Sequence, residues 1–275
     1  MGSLMFKLAM SAYLLSLLGV VLLVFGSRET PVVRRWTLAL YAGFTFHTLA
    51  LIHRLVMSGR TPIATQYESL SFFSWCVIGF FLLLVRRYKA ASLGIVLIPI
   101  SCLLMIYATL WNDGISPLGP MLQSQWLPIH GIVSFLGEAA LGLAFAAGVF
   151  YMVQEARIKG KRLGAVGTRL PSLETLDEIN YFSVTLGFPL LTAGIITGSI
   201  WATSAWGSWW NWDPKEVWSL VTWLVYAALL HQRINVGWRG RKAAVMAVLG
   251  FCCVMFTFIG VNLLPGLHSY AHIER

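Results

Sequence analysis

Apolar residues arrive along this chain in blocks of about 20, and short clusters of charge separate the blocks. Eight runs stand out: 8–26, 35–57, 69–85, 91–111, 127–153, 180–201, 216–232 and 243–264. No alternation of period two passes through them, so they predict helices and not strands. At ~1.5 Å of rise per residue even the shorter runs nearly match a ~30 Å hydrocarbon core, given some tilt or thinning. The prediction is an all-α polytopic membrane protein of about eight transmembrane helices, forming a single integral membrane domain over residues 1–275. No internal repeat and no long linker marks a second domain. Lys7 and the first run lack a clear small-residue cleavage site, so that run is expected to stay as a span.

Composition sharpens this picture. The chain is 57% hydrophobic and only 11% charged, where a soluble domain carries about 25% charged residues. Too few polar side chains exist to cover a water-facing surface. The net charge of +9 could suggest nucleic acid, but the basic residues lie between apolar runs and form no stripe, so no nucleic-acid partner is expected. They report topology instead. Arg28, Arg34 and Arg35 fall in the first loop, and Arg86, Arg87 and Lys89 in the third. Arg157, Lys159, Lys161, Arg162 and Arg169 fall in the fifth, and Arg233, Arg239, Arg241 and Lys242 in the seventh. These are 15 of the 20 basic residues; Lys7, Arg54, Arg60, Lys215 and Arg275 are shared by the even loops and the termini. The positive-inside rule then puts the odd loops in the cytoplasm and both termini on the outer, periplasmic side.

The four cysteines, Cys76, Cys102, Cys252 and Cys253, all lie inside apolar runs and form no C-x-x-C. They read as small buried hydrophobes.

Candidate chemistry concentrates between the sixth and seventh runs, in WATSAWGSWWNWDPKEVWSLVTW. Seven of the twelve tryptophans lie there: Trp201, Trp206, Trp209, Trp210, Trp212, Trp218 and Trp223. An interfacial aromatic belt would spread its rings over both faces and many helices. Rings gathered at one end of two helices suit a platform for a flat, mostly apolar ligand. Within the same stretch Asp213, Pro214 and Glu216 read as a capping box opening the seventh helix, which explains them without chemistry.

Six histidines accompany it: His47, His53, His130, His231, His268 and His272. An imidazole in or beside a bilayer is costly unless it is paired or ligating. Charge counting puts His130, at the start of the fifth span, and His268, just after the eighth, on the same outer face as the tryptophan loop. Two imidazoles bracketing an aromatic shelf are what a bis-histidine haem iron requires. Either histidine alone would read as a hydrogen-bonded interfacial residue. His231 lies about 22 Å further along the seventh helix and cannot serve that site. His47 and His53 read as core histidines bonded to a neighbouring helix, and His272 as a solvated tail residue. Glu138, eight residues beyond His130, is an intramembrane carboxyl that could pair with an Arg, bond a helix neighbour or line a polar path.

At this level of detail a family is recognisable. The run WGSWWNWDPKEVWSLVTWLVYAALLH, with GVNLLPGLHSY downstream, resembles the haem-handling WWD-domain membrane proteins of cytochrome c biogenesis. The DPKEVWSL continuation resembles the CcsA/ResC branch of maturation system II. TPIATQYESLSFFSW is also similar to that branch, which usually has Asn where Thr65 stands. The resemblance implies that His130 and His268 are the outer axial ligands of haem b. It implies that residues 202–215 form the outer haem-binding loop, with Trp206, Trp209, Trp210, Trp212 and Asp213 cradling the macrocycle. His231 would match the family's transmembrane histidine, one ligand of a second haem, its opposite ligand coming from a CcsB/ResB partner or, within the chain, from His47.

The implied role is the haem-handling subunit of a cytochrome c synthase (haem lyase), active with its CcsB/ResB partner. It would move haem outward and present it for thioether attachment to the C-x-x-C-H cysteines of apocytochrome c, with thiol-reducing proteins as further partners. His130 and His268 are then the catalytic pair. The membrane would be a bacterial inner (plasma) membrane rather than a thylakoid. A haem transporter or chaperone without ligation activity, and a non-catalytic regulator of haem biosynthesis, are the alternatives.

Overall fold

Every apolar run folds as helix. The computed structural model describes residues 1–26, 31–111, 114, 115, 117–161, 164–167, 169–264 and 266. Its helices are α1 (Gly2–Phe25), α2 (Pro31–Ser58), α3 (Gln66–Tyr88), α4 (Gly94–Thr109) and α5 (Trp126–Lys159). They continue with the single turn α6 (Gly164–Gly167), α7 (Leu173–Trp206), α8 (Pro214–His231) and α9 (Arg241–Phe258). No strand occurs among the described residues.

Six segments are long and apolar enough to cross a membrane: α1, α3, Ala91–Thr109, α5, α7 and α9. The protein is therefore a polytopic membrane protein. Helices α2 and α8 are less apolar, because they carry polar and aromatic residues such as His47, His53 and Arg54, or Lys215, Glu216 and Trp218. The cysteines divide more finely than their apolar context suggested. Cys76 and Cys102 are buried, but Cys252 is exposed, since neighbouring positions on a helix point about 100° apart.

The helices group into two compact units, Met1–Leu118 with Val153–Ile179, and Gly119–Met152 with Asn180–Arg275.

In the first unit α1 packs on α2 and α4, and α3 packs on α4 and α2. Several buried polar groups there are matched across helices, as a hydrocarbon environment favours. His47 is fully buried; its Nδ1 lies 3.3 Å from the Tyr13 hydroxyl and its Nε2 3.0 Å from the Ser71 hydroxyl. Ser74 and Ser101 share a hydrogen bond of 2.6 Å. Arg169 Nη1 donates to the carbonyls of Leu23, Val24 and Gly26 at 3.4, 3.1 and 2.8 Å, placing a cation on the negative end of α1.

The start of α3 holds an ion cluster that charge counting left unseen. Arg54 and Arg60 counted there as outer surface charges. Instead Arg54 Nε and Arg60 Nη1 donate to the Glu68 carboxylate at 2.9 and 2.6 Å, and the Glu68 side chain is wholly buried. The same carboxylate accepts the backbone N–H groups of Ala64 and Thr65 at 3.0 and 3.2 Å. Arg54 also donates to the carbonyl of Gly114 and stacks on Tyr67. Thr65 is the N-cap, accepting from the Glu68 N–H at 3.3 Å. Thr is among the residues that cap helices through a side-chain oxygen.

In the second unit α8 packs on α9, with Tyr226 buried against Gly250, where a Cβ would stand 2.7 Å from the ring. Helices α5 and α7 approach closely through glycines. A Cβ at Gly137 would lie 2.9 Å from the backbone nitrogen of Leu191, and one at Gly187 would lie 2.7 Å from the Leu141 side chain. Leu141, Ala144, Val184, Leu191 and Phe251 fill the core that results, and Asn180 donates across it to the Ala144 carbonyl at 3.1 Å.

Glu68→Gln removes the charge that two guanidinium groups share in a buried setting. It is expected to cost about 3 kcal/mol, read as a fall in the thermal unfolding midpoint in detergent. An unchanged midpoint would show the cluster to be dispensable.

Candidate functional site

The tryptophan-rich loop is built around two carboxylates. Asp213 is the N-cap of α8, its Oδ1 accepting from the Lys215 N–H at 3.0 Å, with Pro214 at N1 and Glu216 at N3. The capping box expected from sequence is therefore present. Glu216 does more than cap, however. Its Oε2 accepts the N–H of Asn211 at 2.7 Å as well as that of Asp213 at 3.2 Å. Those two peptides flank Trp212, whose φ is +56°, in the left-handed region that non-glycine residues seldom adopt. One carboxylate thus clamps the backbone on either side of Trp212 and turns its ring outward. Trp212 is 73% exposed and Trp209 68%. Trp206 and Trp210 are half-buried, and the ring of Trp210 meets that of Trp212 edge-on at 5.7 Å.

Asp213 is itself buried, and its Oδ2 faces Gly266 so closely that a Cβ there would stand 2.5 Å away. Only a glycine permits that approach. It brings the chain two residues before His268 to the foot of the loop; His268 itself, like His272, lies outside the described residues.

His130 stands in the first turns of α5, half-buried. Its Nδ1 lies 2.9 Å from the Gly194 carbonyl of α7 and 3.3 Å from the Ser134 hydroxyl. A carbonyl only accepts, so Nδ1 carries the proton and the Nε2 lone pair is left for another partner. This is the tautomer and support of a metal-ligating imidazole. The ring lies parallel to Trp201, with centroids 6.2 Å apart, and Trp206 meets Trp201 edge-on at 5.0 Å. Trp201 is in turn fixed by its indole N–H, which donates to the Met121 carbonyl at 3.2 Å. Gly194 and Gly198, one turn apart on α7, make room for this. A Cβ at Gly198 would lie 2.8 Å from the imidazole, and one at Gly194 2.6 Å from the Ser134 hydroxyl. Two flat polarizable groups and a free imidazole nitrogen are thus held together on rigid helices, as an amphipathic macrocycle with a metal centre would need.

His231 ends α8, 17 residues and about 25 Å of helix from Pro214. It is exposed, and its Nδ1 lies 3.0 Å from the Asn235 amide nitrogen, at the head of a π-helical turn, Gln232–Val236. Both ring nitrogens of His47 already have partners in the first unit, so nothing in its surroundings suits it to ligate iron. Sequence reasoning passed over Gly194, Gly198 and Gly266. A G-x-x-x-G spacing on α7 was the available signal for the first two.

Gly198→Ala should push the His130 ring aside and cost about 1–3 kcal/mol in thermal unfolding. Gly119→Ala, at an open position with φ of −58°, should cost nothing measurable. Equal effects would mean that the close approach at Gly198 is not what holds the ring. Trp212→Gly relieves a left-handed φ at an exposed position, so stability should change by less than about 1 kcal/mol. A larger loss on heating would show that the ring is part of the loop's own packing.

Comparison with known proteins identifies the relatives. Residues 63–268, which include both His130 and His268, match the family described as Cytochrome C assembly protein. The chain is 38% identical to a cytochrome c biogenesis protein CcsA of Prochlorococcus marinus strain MIT 9515, across 92% of this chain and 88% of that one. It is 38% identical to the protein of that name from Microcystis aeruginosa, across 79% of this chain and 81% of the relative. The corresponding figures for the Mesostigma viride protein are 35%, 82% and 83%. The chain belongs to the CcsA family of cytochrome c biogenesis proteins.

Proposed function

We propose that this protein serves c-type cytochrome maturation by holding haem b at the outer membrane face and presenting it to apocytochrome c. The observation that carries this reading is His130: protonated at Nδ1 toward the Gly194 carbonyl, parallel to Trp201, with Nε2 unused. His268 is the second axial ligand, and the close approach of Gly266, two residues earlier in the chain, to Asp213 supports it. Trp206, Trp209, Trp210 and Trp212 would lie along the macrocycle, and Asp213 would tie the loop to the ligand-bearing segment.

The chain's part in the chemistry is positioning, which can remove much of a barrier when reactants are held in attack geometry. Haem is the substrate. Two imidazoles on the iron fix the ring, and the vinyl edge stays open to the incoming C-x-x-C-H peptide. Each cysteine thiol adds across one vinyl group, sulfur bonding to one carbon and hydrogen to the other, so two thioethers form with no leaving group. The peptide's own histidine then takes the place of one imidazole and the product departs. Ligation would need a CcsB/ResB-type partner and reduced thiols. His231, exposed at the far end of α8, would be one ligand of a haem in transit, facing that partner.

The topology that accompanies this reading is eight spans with both termini outside, in a bacterial plasma membrane. It rests on the 15 of 20 basic residues in odd loops.

The test is an absorption spectrum, oxidised and reduced, of the detergent-purified protein co-expressed with its partner. Wild type is expected to show a low-spin bis-histidine spectrum, which His130→Ala with His268→Ala weakens or converts to high spin. Wild type without haem would overturn the reading. Haem unchanged in the double variant would move the occupied site to His231.

A further inference from the structure

A haem has two unlike edges, one carrying vinyl groups and the other two propionates, and a site that leaves the vinyls open must recognise the propionates. In the second unit the described cations are unevenly placed. Arg233, Arg239, Arg241 and Lys242 all lie around the turn beyond His231, and Lys215 alone lies on the first turn of α8, in the tryptophan loop. From the sequence Lys215, like Arg54 and Arg60, is an outer-side charge that could meet a propionate but is expected, as a surface charge, to meet lipid phosphate or water. The structure places it half-buried, within electrostatic range of His130, of Asp213 and of Glu138.

Glu138 shares a face of α5 with His130 and Ser134, at spacings of four residues, so it sits about two turns further into the helix than the imidazole. Its Oε2 is buried and without a hydrogen-bond partner. Glu138 and Lys215 attract each other without closing into an ion pair. Asp213 also acts on Lys215, but it already commits Oδ1 to the α8 cap and turns Oδ2 to Gly266, and Glu216, next in the chain, commits Oε2 to the Asn211 and Asp213 N–H groups. Lys215 is thus a cation beside the aromatic shelf and the candidate axial ligand, its positive charge balanced only at a distance.

We propose that Lys215 binds a haem propionate and so fixes which edge of the macrocycle faces outward, with Glu138 holding the ammonium in the site until haem arrives. This rests on the reading of His130 as an outer haem ligand. Lys215 is a positioning residue for the vinyl groups, since it touches the edge of the substrate remote from the reacting carbons. Glu138 competes with the propionate for the same cation, so the acidic residues of the neighbourhood have different roles, Glu216 serving the loop backbone. Asp213 belongs to the loop, and Glu138 tunes the affinity.

The experiment titrates the purified complex with haemin and with haemin dimethyl ester, following the low-spin absorption band. One charge-assisted hydrogen bond corresponds to roughly 10–100-fold in affinity, so wild type should prefer the free acid by that order. Lys215→Gln should bring the free acid down to the level of the diester while leaving the diester's own affinity unchanged. Lys215→Arg should restore most of the preference, and Glu138→Gln should widen it. If Lys215→Gln weakens both ligands equally, or leaves the preference intact, the propionate assignment is overturned. The parent reading fails separately: it falls if wild type gives no low-spin band, or if His130→Ala leaves that band unaltered.

Discussion

A polar group inside hydrocarbon has no water to bond, so it must find its partner within the protein. That constraint organises both units of this chain. Backbone groups meet it by forming helix throughout. Several side chains meet it in pairs drawn from different helices: His47 with Tyr13 and Ser71, Ser74 with Ser101, Asn180 with the Ala144 carbonyl. The Glu68 cluster is the same rule at higher charge, one buried carboxylate taking two guanidinium groups and two backbone N–H groups. Each pairing locks a helix register, and the registers fix what the helix ends present.

His130 shows how a general rule becomes a specific chemical state. Satisfying its Nδ1 with the Gly194 carbonyl also selects the tautomer, and the tautomer frees Nε2. The carbonyl is reachable because α7 carries glycine at positions 194 and 198, one turn apart and facing α5. Small residues thereby set the state of an imidazole by letting the neighbouring helix come close to it. The same economy recurs at Gly266, whose missing side chain lets its backbone approach Asp213.

In the tryptophan loop, capping and presentation are one act. The Glu216 carboxylate accepts the N–H groups of Asn211 and of the N-cap Asp213, just before α8, and in doing so holds the backbone on both sides of Trp212. The left-handed residue between them turns an indole into solvent that hydrophobicity alone would bury. An unfavourable conformation and an unfavourable exposure are kept together by hydrogen bonds that the helix needed in any case.

Much of this was open to reading from the chain alone. The runs of apolar residues marked every long helix, because in a membrane the period and length of a run leave few choices, although α5 and α7 extend six or seven residues beyond their runs into polar sequence. The capping box at Asp213 was legible because a cap is a local pattern, and the family was legible because the tryptophan spacing is rarely met. Partners were not. Arg54 and Arg60 counted as loop charges until folding set them on Glu68, and Lys215 read as a surface lysine until α5 brought Glu138 and His130 within its field. Cys252 read as buried because its neighbours are apolar, and it is exposed. The physical reason is common to all of these. Hydropathy, periodicity and caps depend on residues close together in sequence, whereas the choice of ion partner, histidine tautomer and exposed face depends on which helices meet and at what register, and only the tertiary structure decides that.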